Sequence, residues 1–268
     1  MEISVTLDLM YKMDSKIVIF EGNQKDGIFS RSKRFYKEGL TEEEIEEEIK
    51  KARIRLGEKY HFPGLKMFQV RQKMEDSDIY PDNKAVLLDE RYMQKEDYFQ
   101  EKIEADILII EERFKNIAVA HRMADCPVLI AEDRLLGITA IAHCGIYHIN
   151  RELPKELIKT LIREFHSNPE NIYLYIGSHI KKENYYYDTY PNQATNKEVW
   201  KEAILEMAGK YQINLEKAIR NQLREFSLGE IKASEIDTAT HPDYASHRKE
   251  KEGNPSKKGQ NIVGFYYK

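Results

Sequence analysis

The sequence predicts a mixed α+β fold in a single domain over residues 1–268, with mixed β-sheets flanked by helices. Three observations lead there. Short apolar runs bounded by turn residues crowd the centre of the chain, at 107–110, 117–120, 128–131 and 138–143, which is the pattern of buried strands. Amphipathic stretches of helical period stand on either side of that centre, around Ile45 to Leu56, Leu157 to Phe165 and Leu215 to Phe226. Strands and helices do not alternate one for one, which separates the pattern from a doubly wound sheet.

Taken in order, residues 3–10 and 16–21 read as strands, and the polar run from Gly22 to Gly27 is a turn. A helix begins near Thr41, where Glu44 completes a capping box, and Ile45, Ile49, Ala52 and Leu56 recur on one face. Residues 66–71 and 84–89 follow as strands, whereas the acidic, aromatic run 91–104 has no clear period. The central strands come next, and the turn-like Glu132-Asp133-Arg134-Leu135-Leu136-Gly137 joins two of them as a hairpin. A helix over 153–166 starts at Pro154 and buries Leu157, Ile158, Leu161, Ile162 and Phe165. A strand at 172–176, helices at 196–209 and 214–226, and a last strand at 262–267 complete the chain.

Composition narrows the function classes. The 42 lysines and arginines against 46 aspartates and glutamates leave a net charge of −4, so broad binding to a nucleic-acid backbone is not expected. Two cysteines make no disulfide framework and suit a reducing, cytoplasmic setting. No apolar run approaches a membrane span, and the first residues, Met1-Glu2-Ile3-Ser4, carry acid where a signal peptide carries base. The expectation is a soluble cytoplasmic protein with no nucleic-acid or membrane partner.

Chemistry-bearing residues stand at two strand ends. Ala124-Asp125-Cys126-Pro127-Val128 and Ala142-His143-Cys144-Gly145 flank the expected hairpin, which brings Cys126 within reach of His143. A thiol and an imidazole at neighbouring strand ends suit a nucleophilic or soft-metal site; a buried cysteine and a hydrogen-bonded core histidine are the structural alternative. Tyr185-Tyr186-Tyr187, with Tyr190, suits stacking on a flat ring or plain packing, and Ser246-His247-Arg248 could present arginine to phosphate.

In their order and spacing these strings resemble the purine nucleoside phosphorylase family formerly called laccase-domain or multicopper polyphenol oxidoreductase proteins. Its members carry T-A-D-C-x-P-V-L, then A-H-A-G-W-R-G, then G-P-x-I-G-x-x-x-Y-E-V. The counterparts here are Met123 to Leu129, one residue shorter, then Ala142 to His148, then Gly177-Ser178-His179-Ile180-Lys181 reaching Tyr185. Ala105-Asp106-Ile107 upstream, and Ile213-Asn214-Leu215, Arg220-Asn221-Gln222-Leu223, Asp237-Thr238 and Ser246-His247-Arg248 downstream, follow the same order, so the resemblance spans residues 17–268.

The resemblance implies the laccase-domain fold, one zinc held by two histidines and a cysteine, and phosphorolysis of adenosine or inosine with phosphate as co-substrate; adenosine deamination is also ascribed to the family. Cys126 and His143 inherit both the metal-ligand and the catalytic positions. The family's third ligand, the histidine of a Q-V-H-G string, is replaced by Arg71 in Gln69-Val70-Arg71-Gln72, and a guanidinium offers no lone pair. His121, His148, Cys144 and His179 are the candidates to replace it. Arg71, Tyr185 and Arg248 take the substrate-binding positions. A tryptophan, an arginine and a glycine of the second string become Ile146, Tyr147 and His148, and the Y-E pair becomes Tyr185-Tyr186. A metal-free cysteine hydrolase using Cys126 and His143, and a catalytically silent ligand-binding protein, are the alternatives.

Overall fold

The structure, a computed structural model, describes residues 16–30, 32–36, 39–64, 66–71, 84–93, 103–115 and 117–268. The strand expected at 3–10 and most of 91–104 lie outside them. The elements run β1 (Ile17–Gly22), α1 (Glu42–Tyr60), β2 (Met67–Arg71), β3 (Ala85–Leu87), α2 (Glu90–Met93), β4 (Ile103–Glu104) and β5 (Ile107–Glu111). The central run is β6 (Ala118–Met123), β7 (Val128–Asp133), β8 (Ile138–His143), α3 (Ile146–Asn150), α4 (Leu153–Phe165) and β9 (Ile172–Ile176). The last part holds β10 (Tyr186–Tyr187), β11 (Ile204–Met207), β12 (Lys210–Ile213), α5 (Leu215–Leu223), β13 (Glu230–Ala233), α6 (His247–Lys251) and β14 (Asn261–Tyr267).

The α+β expectation holds. Among the described residues the strands form a sheet ordered β1-β14-β6-β2-β4, a second ordered β13-β9-β7-β8-β5-β3, and a small sheet β10-β12-β11. Both large sheets mix parallel and antiparallel pairs: β2 runs parallel to β6 whereas β14 runs antiparallel to it. The large sheets pack face to face. Ile17, Phe68, Val119 and Phe265 of the first meet Leu108, Val128, Ile130 and Ile141 of the second in one apolar cluster.

Each sheet's other face is covered by helix. On the first, α1 packs Ala52 and Leu56 against Val18, Phe20, Met67 and Ala120. The Thr41–Glu44 capping box starts that helix as its sequence requires, with Glu44 N–H donating to Thr41 Oγ1 at 3.2 Å and Thr41 N–H to Glu44 Oε2 at 2.8 Å. On the second, α4 and α5 lay Leu157, Leu161, Ala218 and Ile219 over Leu129, Ala131, Ala140 and Leu174. Strand β7 is therefore apolar on both faces, which is why its sequence reads as a continuous run rather than an alternation.

Buried polar links join the layers. Glu21 of β1 accepts from the Tyr175 hydroxyl of β9 at 2.8 Å and from Ser178 N–H at 2.9 Å, and burial raises its carboxyl above the usual range. Tyr267 of β14 bonds the Thr139 hydroxyl of β8 at 2.7 Å.

The helix expected over 196–209 is not formed. Its place is taken by turns and then the hairpin β11–β12, in which Met207 pairs with Lys210. Ala208 and Gly209 between them have φ of 50° and 75°, and Glu202 has φ of 57°. Two consecutive left-handed residues make a tight hairpin turn of the kind that suits strand twist. The apolar spacing of Val199, Trp200 and Ala203 instead reflects turns packed on the α5 core. The expected 214–226 helix is shorter, ending at Leu223.

Gly264 sits where β14 passes between its neighbours: a β-carbon there would fall 2.4 Å from the Val119 carbonyl oxygen and 2.6 Å from the Phe20 ring. Gly264→Ala is expected to cost roughly 1–3 kcal/mol through overpacking, read as a lower urea midpoint. An unchanged midpoint would contradict this close packing of β14.

Candidate functional site

The β7–β8 register positions the first two site residues. Val128 stands opposite His143, and Cys144 N–H donates to the Pro127 carbonyl at 2.8 Å, so the pairing continues one step past the strands. Cys126 and Gly145 come next, and a β-carbon at Gly145 would lie only 3.0 Å from Cys126 Sγ. Glycine leaves the room that the thiol fills. Strand alternation puts His143 on the face of β8 that carries Ile141, between the sheets. His121, at the end of the first sheet's β6, shares the face of Val119 and Met123, and its ring centroid is 6.0 Å from that of His143. On the other side of His143, 6.1 Å away, stands His148 of α3, whose Nε2 is 4.0 Å from Asp106 Oδ1. Cys126, His143 and His121 line one cleft of roughly 270 Å³, with Val70, Arg34 and His247 among the residues around them.

Burial makes this floor uncharged. It pushes the Cys126 thiol up to about 12, with the Asp125 carboxylate adding to the effect. It pushes His143 down to about 3, helped by His148, and His148 down to about 4, helped by Arg151. His121 is also held well below the usual histidine range, by burial first and then by its two histidine neighbours and Arg122. At neutral pH the floor is a thiol beside neutral imidazoles, with no thiolate–imidazolium pair.

Asp125 gathers the surrounding segments. It adopts the left-handed conformation, φ 86°, which aspartate tolerates better than most residues. Its carbonyl accepts from Ile180 N–H at 2.9 Å. One carboxylate oxygen accepts from the Thr238 hydroxyl at 2.7 Å and the other from the backbone N–H of Arg248 at 2.7 Å. The carboxylate thus receives one side-chain hydroxyl and one backbone N–H. Held in this way, Arg248 lays its guanidinium over Tyr185 and Tyr187, 5.1 and 4.5 Å from their centroids, and the two hydroxyls meet at 3.1 Å. Tyr186 instead accepts from Gln212 at 2.6 Å, and Tyr190 packs edge-on against Tyr211, so these two tyrosines serve the small sheet.

The other sequence candidates divide. Arg71 closes β2 and pairs through its backbone with Glu104, directly after the cleft-lining Val70; the substrate-binding position expected of its side chain falls outside the described residues. Cys144 belongs to the apolar cluster under α3, α4 and α5, on the face of β8 opposite His143. His179 bonds the Gly177 carbonyl at 2.8 Å and approaches Lys181 at 3.3 Å, as part of a polar group completed by Glu216. Of the four replacement candidates, His121 and His148 therefore stand beside His143. Arg34, Arg122 and Gln260 also line the cleft. Nothing in the sequence marked them: Arg34 and Gln260 come from distant segments, and Arg122 stands beside His121 without a motif of its own.

A zinc site closes only when three donors converge at about 2.0–2.3 Å from one point. Among the described residues no three histidine, cysteine, aspartate or glutamate side chains are so arranged. Although the donor types are present, the described geometry does not fit a preformed metal site.

The family profile described as multi-copper polyphenol oxidoreductase laccase matches residues 26–262. No curated protein matches the chain. Among solved structures, a hypothetical protein YfiH of Bacillus licheniformis superposes with a TM-score of 0.71 at 17% identity, covering 94% of this chain and 93% of that one. YlmD of Geobacillus stearothermophilus gives 0.69 at 18% identity over 94% and 91% of the two chains, and the Neisseria meningitidis protein NMB0706 gives 0.66 at 15% over 94% of each. At these identities the likeness is one of fold.

Two outcomes follow from the site. Dialysed protein is expected to hold clearly less than one zinc per chain by elemental analysis, and Arg71→His to raise zinc affinity; stoichiometric zinc surviving dialysis would mean that His121 or His148 completes the set. Asp125→Asn leaves one oxygen to accept and sets an amide group against a second donor. It is expected to cost about 1–3 kcal/mol, measured by urea unfolding, and an unaltered stability would remove Asp125 from its gathering role.

Proposed function

Given that the chain belongs to the multi-copper polyphenol oxidoreductase laccase family, we propose that it acts on purine nucleosides, cleaving the glycosidic bond with phosphate. In that reaction a phosphate oxygen forms a bond to C1′ of the ribose. The C1′–N bond breaks with its electron pair on the purine, which takes up the proton that the hydrogen phosphate gives up, so the products are ribose 1-phosphate and free base. The observation that carries the reading is the convergence of Cys126 and His143, retained from two separate family strings, in one cleft between the sheets.

The neutral state of the floor suits this role. A neutral imidazole such as His143 presents one N–H and one lone pair, so it hydrogen-bonds the hydroxyls and ring nitrogens of a nucleoside without demanding a counter-charge. Tyr185 and Tyr187 supply aromatic surface beside the Cys126 turn, already clamped by Arg248. Zinc is given no part in these steps, because the described donors do not converge on one point.

A cysteine hydrolase is disfavoured by the same electrostatics. A thiol pushed up to about 12 beside an imidazole pushed down to about 3 lacks the charge pairing that activates a cysteine nucleophile.

Incubation with adenosine or inosine and phosphate, with free base read by chromatography, tests the proposal. Free base is expected to accumulate slowly and only with phosphate present, and Cys126→Ala and His143→Ala are expected to abolish its release. Saturable nucleoside binding without turnover would point to a silent ligand-binding protein, and absence of nucleoside binding would overturn the proposal altogether.

A further inference from the structure

One buried carboxyl stands apart from the residues that line the cleft. Glu21, near the end of β1, is 4% exposed and lies opposite Val263 of β14. Its Oε1 accepts from the Tyr175 hydroxyl at 2.8 Å and from Ser178 N–H at 2.9 Å. Its Oε2 meets the Tyr244 hydroxyl, at 3.4 Å. The bonding is lopsided: one oxygen is held as a carbonyl, and the other faces a phenol oxygen that accepts a proton as readily as it donates one. A carboxylic acid fits such a site better than a carboxylate. Among the described residues no cation bonds this carboxyl, and a buried charge without a partner is costly.

The ionisable groups around Glu21 leave that balance in place. Tyr175 and Tyr244 are themselves pushed up, by burial first and by Glu21 next, so neither gives up its proton before the acid does. Tyr60 of α1 donates its hydroxyl to the Glu21 main-chain carbonyl at 2.7 Å. Asp26, past β1, acts on Tyr60 and Tyr244 and is paired with Lys59 at 3.1 Å. Lys181, beyond β9, is the cation that feels Glu21. Its ammonium is held by the Ser234 carbonyl at 2.7 Å and by His179 at 3.3 Å, with Glu216 3.8 Å away. Within 237–246, Asp237 accepts from Asn184 at 2.7 Å, Asp243 is paired with Lys25 at 2.9 Å, and His241 packs edge-on against Tyr244. Burial accordingly holds the Glu21 carboxyl above the usual range.

Two of the three donors to Glu21 belong to β9 and its continuation, whereas Tyr244 belongs to the irregular segment 237–246. That segment reaches the site. Thr238 donates to one oxygen of Asp125, and past Ser246 the chain enters α6, whose Arg248 N–H takes the other. Lys257 binds the segment into one unit, donating from Nζ to the carbonyls of Thr238, His241 and Tyr244. We propose that Glu21 is a pH-sensing latch: as a neutral acid it seats segment 237–246 against β1, and on losing its proton it releases that segment, and with it the bonds of Thr238 and Arg248 to Asp125. The proton passes to solvent. Water then reaches the carboxylate from the side of Tyr244, because an irregular segment opens at lower cost than a central strand. The latch does not depend on which ligand the cleft takes.

Urea unfolding and hydrogen exchange of the full chain, wild type against Glu21→Gln, test this from about pH 5 to about pH 8. The folded state binds the Glu21 proton more tightly than the unfolded chain does. Stability from this group is therefore complete below the ordinary glutamate range and is lost as pH rises above it. The amide keeps an acceptor for Tyr175 and Ser178 and a donor toward Tyr244, but it does not ionise. Comparing the two proteins at each pH cancels His241 and every other titrating group. The wild type's folding constant is expected to fall relative to the variant's by at most about tenfold per pH unit. Exchange within 237–248 is expected to rise with pH in the wild type beyond its rise in the variant. A ratio of folding constants that is the same at every pH is the signature of a structural hydrogen bond and overturns the proposal. A ratio that changes with pH without added exchange in 237–248 also overturns it, since the charge is then relieved only by global unfolding. If Glu21→Gln does not fold, exchange in 237–248 relative to β7 within the wild type decides: a ratio rising with pH supports the latch, and a flat one overturns it.

Discussion

The carboxylate of Asp125 is the contact on which the rest of the site depends. Its two oxygens take the Thr238 hydroxyl and the Arg248 N–H, and its carbonyl takes Ile180 N–H, so one residue joins three segments far apart in the chain. Each bond to a charged acceptor is short and strong. Buried as they are, these groups would lose their partners outright if the turn relaxed. The left-handed backbone at Asp125 is stabilised by this set of bonds, and Cys126 follows directly from it.

A second constraint comes from the way the sheets meet. His121 from the first sheet and His143 from the second face each other because their strands place alternate residues between the layers, and His148 closes the row from α3. Three histidines packed in low dielectric cannot all carry charge, so burial and mutual repulsion keep them neutral. The positive charge of the cleft comes from Arg34 and Arg122 at its wall.

The fold was legible where local chemistry and burial agree. Thr41 and Glu44 announce the start of α1, and Ile45, Ile49, Ala52 and Leu56 are all buried. The β7–β8 hairpin follows from apolar runs and a turn ending in Gly137, whose φ is 67°. The stretch 196–209 misled because Val199, Trp200 and Ala203 have helical spacing; the deciding features were the left-handed Ala208 and Glu202, which carry no side-chain signature of that conformation. Cys126 and His143 were legible as a pair, because a hairpin register is a local property. Arg34, Arg122 and Gln260 were not, since their convergence depends on β6 pairing with the distant β14 and on where the turn of Arg34 packs. His121 and His148 lay between these cases: visible as histidines, but placed only by the facing of strands and the course of α3.

The proposed function puts the ligand in the space between the two sheet ends, above Cys126. A crystal structure of the chain grown with inosine and phosphate addresses it most directly. Electron density for the nucleoside is expected in the cleft, within hydrogen-bond reach of His121 and His143, with phosphate beside it. Density for either molecule bound elsewhere, with the cleft holding only solvent, would contradict it.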